Sequence, residues 1–177
     1  MKKIVIFGAS NSSTSINRSL ATYAGSLLQG TDTVVLDLND YEMPIYSPER
    51  ESADGIPQAA QTFVQQIESA NGLIVSLAEH NGTYSAAFKN ILDWDSRQKQ
   101  KLWSEKPMLL LSTSPGARGG ATVLAAAEAS FPRLGAQLLG TFSLPSFYDN
   151  FSPDNGISDL ALKSELESAV QLLSEAL

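Results

Sequence analysis

The 177-residue sequence contains no cysteine. That excludes disulfides, a thiol nucleophile and any thiolate metal site. It contains a single histidine, His80, so no second imidazole completes a metal-ligand spacing, and no serine-hydrolase elbow accompanies it. Cations are scarce: 12 Lys and Arg stand against 19 Asp and Glu, a formal net charge of −7. Nucleic-acid binding rests largely on Lys and Arg neutralising phosphates, so this balance argues against such a partner. A single anionic ligand stays open, because oriented amides and helix dipoles act locally. No apolar run approaches the roughly 20 residues of a membrane span. The run after Lys2-Lys3 is too short for a secretory h-region, and no small-residue cleavage site follows it, so the cytoplasm is the expected location. Repeats, linkers and low-complexity tracts are also missing. What remains is 43% hydrophobic and 18% charged, the composition of a globular chain, read as one domain over residues 1–177.

Strand-length apolar runs alternate with helix-period segments. The strands are predicted at Ile4–Phe7, Thr33–Leu38, Gly72–Leu77, Pro107–Thr113 and Ala136–Phe142. Helices are predicted at Ser15–Leu28, from Ile56-Pro57 to Ser69, at Ser85–Asp95, Ala121–Leu134 and Ser158–Leu177. Asn39–Gly55 and Leu144–Gly156 read as irregular loops. Alternation of this kind specifies an α/β fold, a five-stranded parallel sheet between two helix layers. Right-handed crossovers favour the strand order 2-1-3-4-5. Ligands of such sheets sit beyond the carboxyl ends of the strands, where strand order reverses. That rule brings together the loops after strands one, three and four.

Each of these loops is rich in small or polar residues. The first, Ala9 to Ser15, holds four serines and a threonine ahead of a helix, with Asn17 and Arg18 on the first turn. Hydroxyls and free amides at a helix N-terminus favour an anion such as a phosphate; serines also gather there simply as caps. The spacing is neither a P-loop nor the dinucleotide fingerprint, since no Gly-Lys-Ser/Thr follows and only Gly8 of the needed glycines is present. Arg18 reads either as a phosphate contact or as a solvated helix residue. The second loop, Ala78 to Tyr84, offers Glu79, His80, Asn81 and Gly82 to a planar ligand. His80 reads as a proton carrier, as a ring packed beside the ligand, or as an exposed residue without a role. The third loop, Ser114 to Gly120, places Pro115-Gly116 and Gly119-Gly120 where main chain can approach a ring, and Arg118 where it can meet a second anion or remain in solvent. Tyr46, Tyr84, Phe147 and Tyr148 are candidate rim aromatics. Asp93-Trp94-Asp95 is placed at a helix C-terminus, where carboxylates are disfavoured by the dipole, and this suggests a neighbouring subunit.

Five segments taken together resemble the NADPH-dependent FMN reductase family, flavodoxin-like proteins that include quinone, azo-dye and chromate reductases. Ser10 followed by Ser15-Ile16-Asn17-Arg18 resembles its Gly-Ser-x-Arg-x-x-Ser-x-Asn loop. Met43-Pro44-Ile45-Tyr46 resembles Leu-Pro-x-Tyr, and Glu79-His80-Asn81-Gly82 resembles Pro-Glu-Tyr-Asn. Lys89-Asn90-Ile91-Leu92-Asp93-Trp94 resembles Lys-Asn-x-x-Asp-Trp, and Ser112 to Gly120 resembles Ser-x-Ser-x-Gly…Gly-Gly. Three positions depart from the pattern: Ser12 stands where the family has arginine, Ala78 where it has proline, and His80 where it has tyrosine.

The resemblance implies a flavodoxin-like three-layer sandwich that binds FMN non-covalently and takes hydride from NADPH or NADH. The phosphate is then expected on Ser10, Ser12, Ser15, Ile16 and Asn17, and the ring against Glu79, His80, Asn81 and Gly82 and against Ser114, Pro115, Gly116 and Gly119. No catalytic acid or base is required of the protein, and no metal. The implied acceptor is a small molecule: a quinone, azo dye, free flavin or metal ion. The implied assembly is a homodimer or homotetramer, with Trp94 and Trp103 marking its interface. The competing readings are an FMN-binding electron carrier and a binding or regulatory module without flavin.

Overall fold

The computed structural model describes residues 1–177. Five parallel strands form one sheet: β1 (Lys2–Ala9), β2 (Thr31–Leu36), β3 (Gly72–Leu77), β4 (Lys106–Thr113) and β5 (Ala136–Leu144), in the order β2-β1-β3-β4-β5. The expected topology is therefore the observed one. The central strands are buried on both faces, which is why each reads as an unbroken apolar run rather than an alternating one. Their period of two divides the core in half. Val5, Phe7, Leu73, Val75 and Leu110 face α3 (Gln58–Ser69), α4 (Ala86–Gln98) and α5 (Ala121–Ser130). Ile4, Ile6, Ile74, Leu109 and Leu111 face α1 (Ile16–Ser26) and α7 (Leu160–Ala176).

The departures from the predicted boundaries have physical causes. β2 lies two residues earlier than predicted, because its register begins at Lys2↔Thr31. Leu38 instead opens a 3-10 turn, Leu38–Tyr41, capped by Asp37, whose Oδ1 accepts from the Asn39 amide at 3.0 Å. Within the predicted loop 39–55 lies α2 (Pro48–Asp54), capped by Ser47 with Pro48 in the first turn. None of its residues is buried, so it carries no apolar period to read. The loop 144–156 folds into a single turn, α6 (Phe147–Asn150), and a two-stranded ribbon of β6 (Phe151–Ser152) and β7 (Gly156–Ile157).

The tryptophans require a larger correction. Trp94 and Trp103 are 1% and 0% exposed, so neither marks a subunit interface. The Trp94 Nε1–H donates to the Pro44 carbonyl at 2.7 Å, and its ring meets Tyr46 edge-on at 5.0 Å. Trp103 packs on Phe131 at 4.7 Å. α4 runs three residues further than predicted, to Gln98, so Asp95 lies in its last turn, where the amide of the C-cap Lys99 donates to the Asp95 carbonyl at 3.1 Å. Asp95 points into the core with 0% exposure and with one oxygen unpartnered, and burial pushes its carboxyl up to about 8.

Candidate functional site

The site is built on the turn from β1 into α1. α1 approaches β1 so closely that a Cβ on Gly8 would lie 2.3 Å from the Arg18 nitrogen. Ser15 caps the helix, its Oγ accepting from the Arg18 amide at 3.1 Å. The amides of Ile16 and Asn17 precede the first intrahelical acceptors and point out of the helix toward the loop. The loop supports itself: the Ser12 amide donates to Ser10 Oγ at 3.1 Å and the Thr14 amide to Ser12 Oγ at 3.3 Å.

Arg18 is neither a solvated residue nor a free cation. Its guanidinium donates to the Ser13 carbonyl at 2.6 Å and pairs with Asp37. The Asn39 amide and then this guanidinium hold the Asp37 carboxyl below its usual range. Arg18 thus fastens loop one to the end of β2. Asn17 is buried, and its side chain is fully engaged: Oδ1 accepts from Ser76 Oγ at 2.7 Å and from the Thr113 amide at 3.1 Å, while Nδ2 donates to the Thr113 carbonyl at 3.2 Å. It brackets α1 to the carboxyl ends of β3 and β4, leaving its backbone amide, not its side chain, for a ligand. On the other flank, Ser85 Oγ donates to the Ala9 carbonyl at 2.8 Å and caps α4.

The loop after β3 is preformed. His80 and Thr83 exchange backbone hydrogen bonds of 2.9 and 3.1 Å, with Asn81 and Gly82 between them at φ of 52° and 77°. This is a two-residue type I′ hairpin, for which Asn-Gly is the favoured pair. Glu79 turns away from the anion loop. Its Oε2 accepts from the Val123 amide at 2.9 Å, in the first turn of α5, whose N-cap Gly120 supplies no side chain. A carboxylate there complements the helix dipole.

The loop after β4 is tied to α6: the Phe147 amide donates to the Ser114 carbonyl at 3.0 Å and the Ser146 amide to the Gly116 carbonyl at 2.9 Å. Gly119 serves packing. It is buried at φ +58°, and a Cβ there would lie 2.4 Å from Ser143 Oγ.

One open cleft of about 200 Å³ joins these loops. Loop one contributes Ser10, Ser12, Thr14, Ser15, Ile16 and Asn17; the end of β3 adds Ala78, Glu79 and His80; the end of β4 adds Thr113, Ser114 and Pro115; and Tyr148 reaches in from α6. Asn81, Gly82, Gly116 and Gly119 do not line it. Of the candidate rim aromatics only Tyr148 does: Tyr84 packs on Phe88, and Phe147 is buried against Phe151. Thr113 joins the cleft from the end of a buried strand, where its side chain carries no pattern of its own. Its one visible signal was its place beside Ser114.

The sequence profile of the family described as NADPH-dependent FMN reductase matches residues 2–149. The chain belongs to this family. It is 40% identical over 80 residues to a 2-hydroxy-1,4-benzoquinone reductase of a Burkholderia species, covering 45% of this chain and 43% of that one. It is 30% identical over 121 residues to an NAD(P)H-dependent FMN reductase of Pseudomonas aeruginosa, covering 68% and 64%. The aligned segments thus span less than two thirds of either relative. Among solved structures, the flavoenzyme NAD(P)H:(acceptor) oxidoreductase FerB of Paracoccus denitrificans superposes with a TM-score of 0.77 over 99% of this chain and 96% of that one, at 22% identity. That likeness shows a shared fold. Two of the family-like segments hold each other: Asn90 and Trp94, one turn apart on α4, both donate to the Pro44 carbonyl, at 3.1 and 2.7 Å.

Proposed function

We propose that the chain is an NAD(P)H-dependent oxidoreductase that holds FMN in this cleft and passes electrons to a small acceptor of the quinone type. The observation that carries the reading is the convergence of a hydroxyl-and-amide loop at the N-terminus of α1 with the ends of β3 and β4 in one cleft. The donor set fits the cofactor. Ser10, Ser12 and Ser15 hydroxyls and the Ile16 and Asn17 amides suit a phosphate. The nearby carboxylates of Glu79 and Asp37 are drawn off by the Val123 amide and by Asn39 and Arg18. The ring would lie against Glu79 and His80 and against Ser114 and Pro115. Bound FMN supplies the hydride acceptance and electron delivery; the chain's residues bind and orient it, and no side chain need serve as acid or base.

Because Ser12 occupies the family's arginine position and Arg18 is committed to Asp37, phosphate recognition here rests on dipoles and hydroxyls. The quinone acceptor is supported by the Burkholderia relative; azo dyes, free flavin and metal ions are the other acceptors to assay. Assembly as a homodimer or homotetramer belongs to the same reading, and Ile45, 76% exposed beside α4, is an apolar side chain available to it. Location in the cytoplasm belongs to the same reading; no helix is long and apolar enough to cross a membrane.

The test is NADPH oxidation by the FMN-loaded protein with benzoquinone. Turnover that depends on added FMN is expected. Failure to bind FMN overturns the reading, and FMN binding without NADPH oxidation reduces the protein to an electron carrier.

A further inference from the structure

Tyr148 is the one Phe, Tyr or Trp side chain lining the cleft, and it is 72% exposed. Its ring meets Phe147 edge-on, at 5.4 Å and 86°, and most of its surface stays uncovered by the rest of the chain. Large aromatics usually bury their faces; here the backbone is arranged to prevent it.

Ser146 adopts the left-handed conformation, φ 45° and ψ 61°, which a residue with a Cβ rarely enters. Four contacts hold it there. The Ser146 and Phe147 amides donate to the carbonyls of Gly116 and Ser114, on the loop after β4. Asn150 Nδ2 donates to the Pro145 carbonyl at 2.9 Å. Phe147 is buried and stacked on Phe151 at 4.8 Å and 24°. Phe147 is the anchor, and the next side chain is projected over the cleft.

We propose that Tyr148 is the stacking wall of the site, the residue against which the planar ring of the bound ligand lies. This rests on the FMN reading above and adds to it a selection for flat aromatic ligands that is independent of the phosphate loop. The two parts of the site then divide the ligand between them, with the turn into α1 sensing the phosphate and Tyr148 sensing the ring.

Flavin fluorescence reports the contact, because an oxidisable phenol or indole in van der Waals contact with the ring quenches it. Both tryptophans are buried in the core, so Tyr148 is the phenol or indole positioned in the cleft to do so. FMN and riboflavin are titrated against the wild type, Tyr148→Leu and Tyr148→Phe, with thermal melts confirming that the exposed substitution leaves the fold intact. Bound flavin is expected to be dark in the wild type and bright in both variants. Tyr148→Leu weakens FMN and riboflavin alike, by roughly five- to tenfold, while Tyr148→Phe keeps the affinity. Flavin that binds and is as dark in Tyr148→Leu as in the wild type, or affinities unchanged in Tyr148→Leu, overturns the stacking role and leaves the FMN reading standing. A wild type that binds neither flavin overturns both.

Discussion

Two buried polar side chains, Asn17 and Asp95, sit at opposite ends of the sheet and are treated in opposite ways. Asn17, 3% exposed at the carboxyl ends of the strands, has partners for its carbonyl and its amide and locks three elements together. Asp95, 0% exposed, has one long contact of 3.4 Å from Gln98 Nε2 and an unpartnered oxygen. A satisfied buried amide rigidifies its surroundings, whereas an unpaired carboxyl under the same burial is forced toward its neutral form. Polar burial is spent in good order where the cleft must keep its shape, and it is a liability where no cleft exists.

The largest expected effect breaks the ordered side of the contrast. Asn17→Leu strands Ser76 Oγ and the Thr113 amide and carbonyl. It should cost at least about 3 kcal/mol by chemical denaturation, at roughly 1–3 kcal/mol for each of three buried groups left unpaired. A loss near zero would mean that the bracket is ornamental.

Next in size is the pH dependence of the liability. The Asp95 carboxyl sits at about 8 in the folded chain against an ordinary value of 3.8. Between those values the unfolded chain has released its proton and the folded chain has kept it. Wild-type stability therefore falls as pH rises through this window, by up to about 1.4 kcal/mol per pH unit, and levels off above it. Asp95→Asn has no such proton, so its stability advantage over the wild type should widen with rising pH and then plateau. Parallel melting curves across the window would contradict this.

Two smaller substitutions sharpen the comparison. Ser76→Ala removes one bond from Asn17 and should cost about 1 kcal/mol, an effect that should vanish in the Asn17→Leu background, as a double-mutant cycle would show. Ser15→Ala removes the α1 cap and should cost about 1 kcal/mol of stability. It should also weaken FMN more than riboflavin if the phosphate lies on this loop as proposed.

The sheet was legible because its central strands, buried on both faces, are continuous apolar runs punctuated by Gly, Ser and Pro, and strand order then places the ligand loops. Nine of the thirteen named site residues meet in one cleft for that reason. What was not legible depends on contacts distant in sequence. Asn17 on a first helical turn reads as a phosphate donor until Thr113, 96 residues away, is seen to hold its side chain. Glu79 caps a helix 44 residues on. Gly119 looks like a ligand glycine, but its missing Cβ makes room for Ser143. The tryptophans suggest an interface until Pro44 and Phe131 are found covering them. α2 has capping signals but no buried face, so periodicity passes over it.

The most direct test of the central claim is calorimetric titration of the chain with FMN and with riboflavin, which differ only by the phosphate. FMN is expected to bind at least about tenfold more tightly, as charge-assisted hydrogen bonds to amides and hydroxyls require, and Ser15→Asp is expected to close the gap by setting a carboxylate against the phosphate. Equal affinities in the wild type, or a gap that survives Ser15→Asp, would contradict a phosphate site at the turn from β1 into α1.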